Sequence, residues 1–158
     1  MEWSELTFGK HKGKTLPQVM IIDPDWFFHL YNEGAFSCNM GTIQEEAEAI
    51  FRRATSIRIP INNADEYCRI DYFHDQSTGK FNMMLIVRGV RSSKNGTNTA
   101  ISDVMDLSYP TLYGKYDKLG CKLMIRQVKG ILFGNTKYTM SKARCEEFFN
   151  DKSAFRDF

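Results

Sequence analysis

The sequence predicts an α+β protein: a small helical unit over residues 1–58, then an antiparallel-sheet unit with a C-terminal helix over 59–158, the two able to pack as one body. Three observations carry that reading. Helix-start signals cluster early, at Thr15 with Pro17, at Asp23-Pro24 and at Thr42-Ile43-Gln44-Glu45. After Pro60 the texture turns strand-like, with "EYCRIDYF" (66–73) and "FNMMLIVRGV" (81–90) on either side of the turn cluster "HDQSTGK". Near the end, Ser141 stands where an N-cap belongs, before a stretch of helix formers.

The elements follow in order. Residues 8–16 read as a tight, glycine-punctuated loop or a short hairpin, because Gly9 and Gly13 permit backbone angles closed to other residues. Thr15 caps a short helix with Pro17 in its first turn and Val19-Met20-Ile21-Ile22 as its core face. Asp23 ends that helix and caps the next, with Pro24 at its first position. There Trp26, Phe27, Leu30 and Tyr31 form the buried stripe, with Trp26 and Leu30 expected inside, and Asn32-Glu33-Gly34 closes the helix. The capping-box pattern at Thr42 opens a third helix to about Arg53, with Ile43, Ala47, Ile50 and Phe51 inward.

Beyond the hairpin, "RSSKNGTN" (91–98) reads as a polar surface loop. Residues 99–108 fit a helix through Ile101, Val104, Met105 and Ser108, and a strand equally. Residues 121–139 read as one or two strands, broken at Lys129-Gly130 and Gly134-Asn135. The last helix runs from Ser141 to about Phe149. No internal repeat or low-complexity tract is present.

Composition bounds the function. With 42 % hydrophobic residues, 12 Phe and 7 Tyr, the 158-residue chain can bury a core, which excludes global disorder. No apolar run reaches the length of a transmembrane helix, and the acidic start Met1-Glu2-Trp3-Ser4-Glu5 does not read as a signal peptide. Cys38, Cys68, Cys121 and Cys145 stand singly, without a C-x-x-C pair, so reduced thiols in a cytoplasm are expected rather than zinc. For the same reason the sequon at Asn95-Gly96-Thr97 carries little meaning. Residues 1–60 hold six Lys/Arg against eight Asp/Glu, net −2; residues 61–158 hold fifteen against eleven, net +4. Neither half is basic enough for a typical duplex-DNA binder, so any nucleic-acid contact is a local patch.

Two patches qualify. The first is "GKHKGKT" (9–15), where Lys10, Lys12 and Lys14 alternate around His11. In an extended segment alternate side chains share a face, which predicts one exposed basic edge able to hold phosphate by charge and by exposed N–H groups. The plainer alternative is a solvated turn. The segment is not a Walker loop, which has four residues between its glycines where this one has three. The second patch is Lys115, Lys118, Lys122, Arg126 and Lys129, whose steps of 3, 4, 4 and 3 would align on one face of a helix. A strand over 121–128 would dissolve that stripe into ordinary surface charge. Tyr113 and Tyr116 lie beside it.

The ordered set Phe8, Gly9, Lys10, Lys12, Gly13, Lys14, Thr15 and Leu16, followed by Asp23, Pro24, Trp26, Phe27 and Leu30, resembles the C-terminal module of exodeoxyribonuclease X-like proteins. The resemblance spans residues 8–34. It implies a compact α-rich module attached to nucleic-acid enzymes, also found alone in phage and bacterial proteins. It brings nucleic acid, or a nucleic-acid-processing protein, as the expected partner. It does not bring nuclease activity: exonuclease metal sites are built on a D-x-E frame, no D-x-E occurs in the sequence, and seven residues ahead of the motif are not expected to hold that domain.

No catalytic residue, metal or cofactor is therefore assigned. The expected role is a non-enzymatic accessory protein in phage or mobile-element DNA metabolism, binding nucleic acid or a nucleic-acid enzyme through the basic 8–16 loop. One alternative is a protein-binding regulator or inhibitor in defence or counter-defence, docking its lysines on an acidic surface. The other is a divergent metal-dependent nuclease built on Asp71, Asp75 and Lys129, with Asp65, Glu66 and His74 nearby and "RQVK" (126–129) as the lysine-bearing strand. That last reading has Gln127 where an acid belongs. It also leaves Asp71 and Asp75, four residues apart on a strand, about 13 Å from each other.

Overall fold

The computed structural model describes residues 1–37, 41–60, 67–89 and 99–156. Cys38, Asp65, Glu66, the sequon at Asn95 and the 91–98 loop, all named from the sequence, lie outside them. The fold is α+β, with helices first, antiparallel sheets next and a helix near the end.

Helix α1 spans Leu16–Ile22, with Thr15 N-cap and Pro17 in its first turn; the Thr15 N–H donates to the Gln18 side chain at 3.1 Å. Helix α2 spans Pro24–Asn32, and the Asp23 carboxylate accepts from the Trp26 N–H. Its deepest residues are Phe27 and Phe28, at 0 and 1 % exposure. Trp26 and Leu30, expected inside, are only half-buried against the core. The buried stripe thus shifts to include Phe28, which meets Phe51 edge-on at 5.9 Å beside the Tyr31 ring stacked on Phe51 at 4.3 Å. Helix α3 runs Gly41–Ala54, so Thr42 lies inside its first turn rather than at the N-cap.

The hairpin forms as the alternation requires. Strands β2 (Cys68–His74) and β3 (Phe81–Arg88) pair antiparallel, and Asp75 holds the turn between them. Residues 99–108, open between helix and strand, hold two short strands: β4 (Thr99–Ser102) pairs with β2, and β5 (Val104–Met105) pairs with β1 (Ile57–Arg58). A short helix α4 (Tyr109–Gly114) follows, started by Pro110.

The largest departure from expectation is at 121–139. Helix α5 spans Lys118–Phe133, where one or two strands were expected. Its buried residues Cys121, Met124, Ile125 and Val128 recur at helical spacing. Gly130 is no break. It sits inside the helix, where a Cβ would come to 3.0 Å from the Thr136 methyl, so the glycine admits the returning chain. The true stop is Gly134, in the left-handed conformation at φ 69°. Helix α6 (Lys142–Asn150) starts at Ser141, whose side chain accepts from the Arg144 N–H.

One apolar cluster draws on both sides of residue 58, from Leu16, Met20 and Phe27 through Ile57 and Tyr72 to Met124, Phe149 and Phe155. Buried polar groups tie its edges. The Glu46 carboxylate accepts from the Ser4 N–H, and Arg53 donates to the Phe149 carbonyl at 2.6 Å while lying over the Trp3 ring. Among the described residues no helix is long and apolar enough to cross a membrane.

Candidate nucleic-acid interface

The glycine–lysine loop does not form an extended edge. The Leu6 N–H donates to the Lys14 carbonyl and the Gly13 N–H to the Leu6 carbonyl, while two tight turns, Gly9 to Lys12 and His11 to Lys14, curl the segment between them. The segment is therefore not the extended strand on which alternate side chains share a face. Gly9 (φ 71°) is needed twice over: its conformation suits glycine, and a Cβ would stand 2.8 Å from the Trp26 ring.

Asp23 is the loop's anchor. Its carboxylate lies 2.5 Å from Lys10 Nζ and 3.0 Å from His11 Nε2. Burial pushes the Asp23 pKa up, but the hydrogen bonds from Lys10 and His11 outweigh it and leave the group below its ordinary value. His11, expected among the contacts, is turned inward at 8 % exposure with its ring edge-on to Trp26 at 4.9 Å. Lys10 is spent on an ion pair. Lys12 stays exposed and Lys14 half-buried.

The second patch gains what the first loses. On helix α5, Lys118, Lys122, Arg126 and Lys129 align on one flank, beside the buried face. Among the described residues none of the four lies within ion-pair distance of a carboxylate. Lys122, Arg126 and Lys129 face Ile21, Ile22 and Pro24 across a groove of about 410 Å³, completed by Thr136 and Lys137. Among the described residues its lining holds four cations and no carboxylate.

The two patches meet at Asp25, which is 5 % exposed. Burial, and then the charge of Asp23, raises its pKa; Lys118 and Lys10 both act on it in the opposite sense. Lys115 is exposed but lies just before α5, in a left-handed conformation shared with Tyr116 (φ 41° and 63°). Asp117 makes that sharp reversal hold, accepting from the Gly120 N–H at 2.9 Å and the Phe81 N–H at 3.0 Å, which joins the start of α5 to β3.

The acidic residues of the nuclease reading go elsewhere. Asp71 pairs with Arg69 at 2.9 Å, and the Asp75 carboxylate accepts from Ser77 and Thr78 within its own turn, which brings its pKa down to about 2. The "RQVK" segment is helix, not strand, and the Gln127 side chain accepts from the Met84 N–H. Among the described residues no three His, Cys, Asp or Glu gather as metal ligands would.

Sequence reasoning missed the groove because the strand reading of 121–139 dissolved the stripe. Asp117, an N-cap residue followed three positions later by Gly120 and then by helically spaced apolar residues, was the available signal.

No curated protein and no solved structure matches this chain. Residues 6–26, which hold the glycine–lysine loop, α1 and the Asp23 anchor, match the family described as Exodeoxyribonuclease X-like C-terminal.

Proposed function

We propose that this protein is a non-enzymatic nucleic-acid accessory protein that holds a phosphate backbone along the cationic flank of α5. The observation that carries the reading is the groove itself: among the described residues, Lys122, Arg126, Lys129 and Lys137 line it together without a carboxylate. Unpaired cations converging on one concavity fit a polyanion, and phosphate contacts of this kind position a nucleic acid without reading its sequence. The family match at residues 6–26 supports the same direction, since that module belongs to exodeoxyribonuclease X-like proteins. On this reading Lys118 extends the track at one end, Lys12 and Lys14 are further candidate contacts, and Lys10 and His11 build the loop rather than touch the ligand. The setting, phage or mobile-element DNA metabolism, rests on the resemblance.

A second reading, a protein-binding regulator, is favoured by Leu112 and Leu119, which stand 64 and 68 % exposed on α4 and α5. One experiment separates the two. Labelled DNA and RNA strands are titrated with the wild-type protein and with a Lys122→Gln/Arg126→Gln/Lys129→Gln variant, and anisotropy is read. The proposed function predicts binding that the triple variant loses at least tenfold. Absence of wild-type binding to either polymer would move the protein-binding reading to first place.

A further inference from the structure

Three tyrosines form a column from the core to the surface beside the N-terminal end of the α5 track. The ring of Tyr72, fully buried, stacks on Tyr109 at 3.8 Å and 6° between planes. Tyr109, partly buried, stacks on Tyr113 at 5.5 Å and 14°. Tyr113 also packs against the His74 ring at 4.2 Å and ends the column with half of its surface exposed. The column is fixed from behind: the Tyr72 hydroxyl donates to the Val104 carbonyl and accepts from the Asp106 N–H. The turn at Gly79 comes close to the Tyr113 carbonyl, where a Cβ would stand at 3.2 Å.

The surroundings of Tyr113 are cationic. Lys115 lies two residues after Tyr113, Lys80 follows the Gly79 turn that approaches the Tyr113 carbonyl, both are exposed, and Lys118 begins the track. The consecutive left-handed residues Lys115 and Tyr116 are a strained reversal, with both side chains exposed. Of the nearby acids, Asp117 is 4 % exposed and caps α5, while Asp75, exposed and ionised in its own turn, offsets part of this charge and leaves the patch net cationic through Lys80, Lys115 and Lys118.

We propose that Tyr113 is a base-stacking platform, so that the ligand of the cationic track is single-stranded nucleic acid rather than duplex. The inference rests on the phosphate-binding reading of the groove. A rigid, pre-stacked ring continues most readily with another flat ring, and only an unpaired base offers one while its backbone lies on lysines. From Lys118 to Lys129 the track runs about 17 Å along the helix, room for several phosphates of one strand. The π-face of any base suffices, so the site takes single strands with little sequence preference.

The test uses the whole chain and four labelled probes of equal length: oligothymidylate, oligouridylate, a DNA duplex and an abasic DNA strand. Wild-type protein is expected to bind one or both single strands more tightly than the duplex. Tyr113→Ala is expected to weaken single-strand binding by roughly 5- to 100-fold and to leave abasic binding unchanged, while Tyr113→Phe restores the loss. Unchanged abasic binding also shows that the variant is folded. The difference between the two single strands identifies DNA or RNA as the ligand, and binding to either supports the platform. Full single-strand affinity in Tyr113→Ala, or an equal loss on the abasic strand, overturns the platform while leaving the groove reading intact. Loss of wild-type binding to all four probes overturns the groove reading and the platform together.

Discussion

The Lys10 ammonium sits 2.5 Å from the Asp23 carboxylate, and that one contact changes the role of the glycine–lysine motif. With His11 on the same carboxylate, the loop is latched to the start of α2. The latch predicts its own pH dependence. Asp23 titrates below its ordinary value of 3.8, so its contribution is present above that pH and is lost as pH falls through the lower folded value. Tryptic cleavage at Lys10, Lys12 and Lys14 should therefore stay slow at neutral pH in the wild type and speed up in Asp23→Asn. That variant keeps a capping side chain but loses the charge, and should cost about 1–2 kcal/mol of stability in urea unfolding. Unchanged cleavage and stability would show that the latch does not hold the loop.

Gly9 bears on the same latch from the other side. Gly9→Ala puts a methyl against the Trp26 ring at a positive φ, and should destabilise by more than about 1 kcal/mol. Gly13 also has a positive φ but faces open space, so Gly13→Ala should cost less. Thermal melts of the two variants check the order, and a milder effect at Gly9 would refute the close approach.

Within α2, depth should track burial rather than ring size. Phe27→Ala should cost about 3–5 kcal/mol, as for a fully buried aromatic residue. Trp26→Ala should cost less, because Trp26 is half-buried. Urea unfolding decides between them, and a larger loss at Trp26 would restore it to the core.

The buried thiols should be inert in the native state. Burial pushes Cys121 up to about 12 and Cys145 up to about 11, and the thiolate is the reactive form. Alkylation at mildly alkaline pH, mapped by mass spectrometry, should mark neither residue before unfolding and both after it. Rapid native labelling of Cys121 would contradict the packing of α5.

Much of the fold was legible in local signals. Asp23-Pro24, the alternation of β2 and Ser141 each acted through contacts within a few residues, and each formed its expected element. Where the decisive contact was distant, the sequence misled. Gly130 looked like a break because its reason, the close approach of Thr136, comes from the chain's return. Lys10 looked free because Asp23 lies thirteen residues on. The candidate site suffered from both errors at once. Its stripe of Lys118, Lys122, Arg126 and Lys129 was visible only on the helix reading, and the opposing wall of Ile21, Ile22 and Pro24 is set by tertiary packing.

The salt dependence of binding tests the central claim most directly, that the α5 groove holds a phosphate backbone. Each cation that neutralises a phosphate releases condensed counterion, so the slope of log K against log salt counts the contacts. The Lys122→Gln/Arg126→Gln/Lys129→Gln variant should flatten that slope by about 2 to 3 units while its urea midpoint stays near wild type, since exposed charges add little stability. A Lys12→Gln/Lys14→Gln variant should flatten it by less. If the triple variant keeps the wild-type slope and affinity, the groove does not hold the backbone and the account fails.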